Sequence, residues 1–135
     1  EIRVTCDFLI KDFNKDQFQM VILPGGMPGT THLGESEEVK EILLDFYDKK
    51  KWIGAICAAP SILGELGLLH GKKACSYPSV EEKLKGAIVS HEKVEIADHI
   101  VTSRGLGTAI AFSLALIQLQ MGEEVAESLA HAIIY

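Results

Sequence analysis

The sequence predicts an α/β fold with a mostly parallel sheet, and three observations carry that prediction. Two short runs, Met20-Val21-Ile22-Leu23 and Trp52-Ile53-Gly54-Ala55-Ile56, are apolar on both faces, as strands inside a parallel sheet are. Between them lies a stretch whose apolar residues recur at helical spacing. After the second run a helix-like segment follows with no loop residues to spare. Strand-like and helix-like segments in alternation are the pattern of an α/β chain.

The elements follow in order. The chain opens on Glu1 and enters a strand-like run at once, Ile2-Arg3-Val4-Thr5-Cys6, so it reads as a domain entered partway through. Met20-Val21-Ile22-Leu23 is stopped by Pro24-Gly25-Gly26. Ser36 caps a helix whose stripe is Val39, Ile42, Leu43, Phe46 and Tyr47. Glu35, Glu37 and Glu38 crowd its start and Lys49, Lys50 and Lys51 its end, as the helix dipole favours. After the strand ending at Ile56, residues 58–66 form a helix ended by Gly67. Residues 73–76 are a third strand. Ile88-Val89 and Val94-Glu95-Ile96 read as a polar-faced hairpin, and His99-Ile100-Val101-Thr102 as a further strand. Gly107 or Thr108 opens the last long helix, with Ile110, Leu114, Ile117 and Met121 on one face. Gly122 ends it, and residues 123–134 form another helix. No repeat or linker interrupts residues 1–135, which read as a single domain.

Composition narrows the function classes. With 135 residues, 47% of them hydrophobic, the chain can build a core and is not of a disordered type. No run of 18 apolar residues exists and no signal-peptide pattern is present. A formal net charge of −6 argues against nucleic acid or an anionic membrane as partner. Cys6, Cys57 and Cys75 are an odd, unclustered set, neither a disulfide framework nor a metal knuckle, so a reducing cytoplasm is expected. Neither metal nor cofactor is expected.

Parallel α/β sheets bind ligands at the carboxyl ends of their strands, which here carry residues 24–29, 57–60, 76–79 and 102–108. Cys57 stands between an apolar strand and a helix, with small residues, Ala55 and Ala59, two positions away on each side. That is how a nucleophile elbow is built: the strand turns sharply, and bulk there would clash. The motif is G-A-I-C-A-A-P and not G-x-S-x-G, so the match is partial. A cysteine at a helix N-terminus is favoured as thiolate by unpaired N–H groups and the dipole. The alternative is a buried, inert cysteine. Gly25 and Gly26 let backbone N–H groups approach an anion, and the N–H groups of Gly26 and Ala58 could form an oxyanion hole; a plain tight turn is the alternative. None of the five histidines is placed beside Cys57 by spacing. His32, His70 and His131 are expected to face solvent. Arg104 could bind a substrate carboxylate or phosphate, or reach across a dimer, against the alternative of a surface ion pair. Gly105 and Gly107 resemble part of a dinucleotide loop, but Ile110 replaces the third glycine and no strand follows, which excludes nucleotide binding.

Arg3-Val4-Thr5-Cys6-Asp7, Leu23-Pro24-Gly25-Gly26, Ala55-Ile56-Cys57-Ala58-Ala59-Pro60, Ser76-Tyr77-Pro78 and Thr102-Ser103-Arg104-Gly105-Leu106-Gly107-Thr108 together resemble, in order and spacing, the DJ-1/ThiJ/PfpI superfamily, in its DJ-1-like branch. The resemblance covers nearly the whole chain. It implies a flavodoxin-like three-layer sandwich with a mostly parallel sheet, of the class I glutamine amidotransferase-like type, and a homodimer. It implies an oxidation-sensitive cysteine at the elbow, mapping to Cys57, and an oxyanion pocket mapping to the backbone of Gly26 and Ala58. It also puts Cys6 near the dimer seam. Activities attached to the family include glyoxalase and deglycase chemistry, redox sensing and chaperone-like holding.

Two departures from the family pattern stand out. Members carry a strand, helix and strand ahead of the first strand seen here, including a glutamate that hydrogen-bonds the reactive cysteine. No residue of this chain matches it, so the domain is expected to be N-terminally incomplete or completed by a separate N-terminal polypeptide. Many members place His where this chain has Tyr77, although other DJ-1-like members have Tyr. A tyrosine hydroxyl can donate to a substrate oxygen or to Cys57 but, with a pKa near 10, is a poor base. The expected function is chemistry on a small carbonyl substrate through Cys57, with Tyr77 and the oxyanion donors steadying the oxygen. The alternative is an oxidative-stress sensor or chaperone-like protein with an oxidisable Cys57. A cysteine peptidase is disfavoured because Ala58, not His, follows the cysteine.

Overall fold

A computed structural model describes residues 3–135. Among the described residues, six strands and five α-helices form: β1 (Met20–Leu23), α1 (Gly29–Glu35), α2 (Glu37–Asp48), β2 (Trp52–Ile56), α3 (Pro60–Glu65), β3 (Lys73–Ala74), β4 (Ile88–Val89), β5 (Val94–Ala97), β6 (Ile100–Ser103), α4 (Ala109–Met121) and α5 (Glu123–Ala132). The main sheet has the order β1-β2-β6-β5, with β1–β2 and β2–β6 parallel and β5–β6 antiparallel. A separate parallel pair joins β3 to β4.

Alternation along the strands builds a core on each face. Leu23, Ile53, Ala55 and Ile100 pack with Val39, Leu43 and Phe46 of α2 and Ile62 and Leu63 of α3. Val101 faces the other way and packs with Phe112 and Leu116 of α4, joined by Met20, Trp52 and Ile56. The result is the expected three-layer sandwich. α4 comes close enough over β2 that a Cβ at Gly54 would lie 3.1 Å from Phe112 Cζ. The Ser36 side chain caps α2 by accepting the Val39 N–H, as the sequence implies.

Several expectations are corrected. Arg3 to Cys6 form no strand and are exposed, Cys6 included, because no described strand pairs with them; Ile2 lies outside the described residues. The hairpin joins β5 to β6 through a turn at Asp98 (φ +54°), and β4 pairs with β3 instead. The helix after Cys57 starts at Pro60, and β3 ends at Ala74. α1 is unanticipated. α4 is apolar all round: Phe112 and Leu116 are its buried side, whereas Ile110 and Met121 on the expected stripe are exposed. Among the described residues no helix is long and apolar enough to cross a membrane.

Candidate functional site: a strained cysteine between two tethered peptides

Cys57 directly follows β2 and has φ +64°, in the left-handed region that side-chain-bearing residues avoid. Holding a residue there costs on the order of 1–3 kcal/mol and requires surroundings that over-determine it. Three are visible. The Cys57 N–H donates to the Ser103 carbonyl at the end of β6, 2.9 Å away. The Cys57 carbonyl accepts from the Tyr77 N–H at 2.8 Å. Gly25, just past β1, lies so close that a side chain there would run into Cys57 Cβ and the Ile56 carbonyl. Ala55 and Ala59 are fully buried on either side of the turn, so the sequence reading of small flanking residues was structural as well as spatial.

The same tethers aim the backbone donors. In a trans peptide, C=O and N–H point opposite ways. Tyr77 holds the carbonyl of the Cys57–Ala58 peptide, which fixes the direction of the Ala58 N–H. Among the described residues, neither Ala58 N–H nor Gly26 N–H donates to any backbone carbonyl. Gly26 has φ +98° and its carbonyl accepts from both the Thr30 N–H (2.9 Å) and the Thr30 hydroxyl (3.1 Å), which anchors the loop to α1. Gly25 is brought against Cys57 and the Ala58 nitrogen, and Gly26 follows it in the same loop.

Beside Ala58 lies a cleft of about 240 Å³, between α1, α3 and the 3₁₀ turn Pro78–Lys83. Met27, Thr30, Ser61, Ile62 and Val80 line it, and Glu35, Glu65 and Lys83 are its charged residues. Ser61 is buried and its hydroxyl donates to the Ala58 carbonyl at 2.7 Å, bracing the turn from the helix side. An apolar groove of similar size, bounded by Phe8, Phe13, Val21 and Ile42, carries no titratable side chain and so has no chemistry to offer.

The remaining candidates are placed differently. Tyr77 is half-exposed, its ring lies near Gly105, and its hydroxyl makes no hydrogen bond among the described residues; its contribution to the elbow is its backbone N–H. The Arg104 guanidinium turns toward Glu81 (Nη2 to Oε1, 3.6 Å) and the His91 carbonyl (3.5 Å), the ion-pair arrangement that was the alternative to substrate binding. His32, His70 and His131 are exposed. No carboxylate or imidazole among the described residues hydrogen-bonds the Cys57 sulfur, and no group of three described His, Cys, Asp or Glu residues could hold a metal ion.

Sequence reasoning missed the polar residues behind the elbow. Cys75, fully buried, donates its N–H to Thr102 Oγ1 at 3.0 Å and its S–H to the Thr102 carbonyl at 3.3 Å, tying the Tyr77 loop to β6. Burial pushes the Cys75 thiol up. Ser103 and Thr108 share a hydroxyl contact of 2.7 Å. Their only signal in the sequence is a run of hydroxyl residues at a strand's carboxyl end.

Comparisons with known proteins bear on this geometry. The DJ-1/PfpI family model matches residues 1–119. The chain is 38% identical over 132 residues to "Protein DJ-1 homolog A" of Arabidopsis thaliana, covering 96% of this chain and 34% of that protein, so it spans about a third of that relative's length. It is 33% identical over 128 residues to "Glutathione-independent glyoxalase DJR-1.2" of Caenorhabditis elegans, covering 94% of this chain and 68% of that one. The solved structure "Toxoplasma gondii DJ-1, oxidized" superposes with a TM-score of 0.92 at 33% identity, covering 98% of this chain and 72% of that chain.

Proposed function

The chain belongs to the DJ-1/PfpI family, and on that premise we propose that it acts on small reactive carbonyls through Cys57, by glyoxalase- or deglycase-type chemistry. The observation that carries the reading is the strained Cys57 backbone, followed directly by the Ala58 N–H and packed on the Gly25–Gly26 loop, with the Ala58 and Gly26 N–H groups free of carbonyl partners. The glyoxalase-named relative supports the substrate class.

In this reading the Cys57 thiolate adds to the aldehyde carbon of a compound such as methylglyoxal. A carbon–sulfur bond forms, and the carbonyl π pair moves to oxygen, where the N–H groups of Gly26 and Ala58 receive the charge. Protonation gives a hemithioacetal. A proton then passes between the two adjacent carbons, and water releases the hydroxy acid, so methylglyoxal plus water becomes lactate. The family resemblance gives this proton transfer to a glutamate on a segment ahead of the first strand, which none of these 135 residues matches, so turnover is measured with that segment supplied. The cleft beside Ala58 is of a size to take the rest of a small substrate, and the Tyr77 hydroxyl is free to donate to its oxygen.

The test is lactate release from methylglyoxal by the chain and by C57A, each with that N-terminal segment supplied. Loss of release in the variant supports the proposal, and equal rates overturn it. A second reading, oxidation sensing at Cys57, is favoured by partial exposure of this cysteine and by the likeness to a structure titled as oxidised. Mild peroxide followed by mass spectrometry separates the two: a sensor gains oxygen at Cys57 before Cys6 and Cys75, with no lactate formed.

The proposal extends to a homodimer in the cytoplasm. Exposed Ile110 and Met121 on α4, Leu129 on α5 and Ile133 just past it support self-association, and three free cysteines support a reducing compartment. Light scattering on the purified chain reads the first.

A further inference from the structure

We propose that Thr108 is a positioning residue for the elbow: its hydroxyl fixes the one peptide unit whose carbonyl holds Cys57 in the left-handed conformation. The inference rests on the reading that Cys57 is the reacting group.

The argument begins with the Ser103–Arg104 peptide. Its C=O accepts the Cys57 N–H at 2.9 Å, and its N–H, the Arg104 N–H, donates to Thr108 Oγ1 at 3.2 Å. Both ends of one rigid plane are thereby spoken for, one by the elbow and the other by Thr108. The Gly105 N–H also donates to Thr108 Oγ1, at 3.0 Å. The Ser103 hydroxyl gives its proton to the Lys93 carbonyl at 2.7 Å, so at the 2.7 Å contact between the two hydroxyls Thr108 is the donor. The Gly105 carbonyl, 3.0 Å away, competes for the same proton. A hydroxyl has one proton and two acceptor sites, and Thr108 uses all three.

Rotation of the Ser103–Arg104 plane would withdraw the carbonyl from Cys57. The elbow would then keep only the Tyr77 tether and the Gly25 approach against the pull toward ordinary φ. Thr108 makes no hydrogen bond to Cys57 and does not line the cleft beside Ala58; its hydroxyl reaches the elbow through this plane and, through Gly105, the loop against which the Tyr77 ring lies.

The test uses the full chain with T108V, T108S and S103A. Thr to Val keeps the shape and removes the hydroxyl; Ser keeps the hydroxyl; S103A leaves the Arg104 N–H held by Thr108. Three readouts are taken on folded protein: single-site alkylation of Cys57 by iodoacetamide from pH 6 to 9, kcat and KM on methylglyoxal, and the thermal midpoint. T108V is expected to slow Cys57 alkylation about fivefold or more across that range, and to lower kcat about tenfold with KM within about twofold, since small misplacements of a reacting group cost rate more than binding. Alkylation of the exposed Cys6 serves as reference and stays native. T108S restores the native profile, and S103A departs from native less than T108V. A native alkylation profile in T108V overturns the proposal, as does a T108S defect equal to that of T108V. Should T108V not fold, T108A is read by the same criteria. Absence of turnover in the native chain as well as the variants defeats the carbonyl reading only, because the alkylation profile decides on Thr108 without it.

Discussion

Cys57 and Cys75 occupy the same place in the sequence pattern: each is the first residue after a strand, β2 and β3 respectively. Their surroundings are opposite. At Cys57 the backbone is forced to φ +64°, the backbone is tethered at both N–H and C=O, and the sulfur is left half-buried without a hydrogen-bond partner among the described residues. At Cys75 the backbone is relaxed, the side chain is fully buried, and the thiol donates to the Thr102 carbonyl. Position after a strand therefore does not make a cysteine reactive. A sulfur becomes available when close packing dictates its backbone and nothing engages its side chain. The contrast also shows how the two cooperate, because the buried cysteine anchors the loop whose Tyr77 N–H steadies the half-buried one.

The sharpest way to break this contrast is chemical labelling. Iodoacetamide at neutral pH, read site by site by mass spectrometry, is expected to modify Cys57 on the order of a hundred times faster than Cys75, since burial and thiol character govern access and nucleophilicity together. Unfolding in denaturant should bring the two rates within a few-fold of each other. Comparable rates in the folded chain would remove the distinction on which the proposed function stands.

The packing half of the contrast is sharpened by G25A. A methyl there meets Cys57 Cβ and the Ile56 carbonyl, both on the strand-to-helix turn and neither the end of a flexible side chain. The expected loss of stability is about 1–3 kcal/mol, the range for forcing an extra carbon into a filled site. Denaturant unfolding measures it. Cys57 alkylation should change in the same variant, because the turn must shift to admit the methyl. An unchanged midpoint together with an unchanged labelling rate would mean that Gly25 does not constrain the elbow.

The order in which these features could be read from the sequence has a physical basis. Gly25, Gly26, Cys57 and Ala58 lie in short strand-to-loop motifs whose geometry is local, and the carboxyl ends of parallel neighbours bring those motifs together. The Ser36 cap and the α2 stripe are local too. The β3–β4 pairing and the β5–β6 hairpin depend on which strand finds which, and the turn at Asp98, a non-glycine residue at φ +54°, carries no glycine to advertise it. α1 is seven residues of Gly-Thr-Thr-His-Leu-Gly-Glu, five of them weak helix formers, and Thr30 secures it by bonding back to Gly26. The direction of the Arg104 side chain, and the service of Thr102, Ser103 and Thr108 behind the elbow, are long-range hydrogen bonds that residue spacing does not encode.

The smallest expected effect concerns the pH dependence of stability at Cys75. Burial raises its thiol above the ordinary value of about 8.5, so the native state keeps the proton longer than the unfolded chain does. A group raised on folding contributes stability that is complete below the unfolded pKa and is lost as pH climbs through the folded one. As pH rises above the ordinary thiol value of about 8.5, the native chain should therefore lose thermal stability more steeply than C75A, which has no thiol to ionise. Lys72 is also raised, by the Tyr47 hydroxyl at 3.2 Å and then by Asp98, but its loss of stability begins above the ordinary lysine range and is common to both proteins. The difference between the two melting curves isolates the thiol. C75A should lie slightly below the native chain at neutral pH, having lost the bond to Thr102, and the gap should narrow as pH rises. Parallel curves across that window would mean that the Cys75 thiol titrates alike in the folded and unfolded chain, and the contrast with Cys57 would then rest on backbone conformation alone.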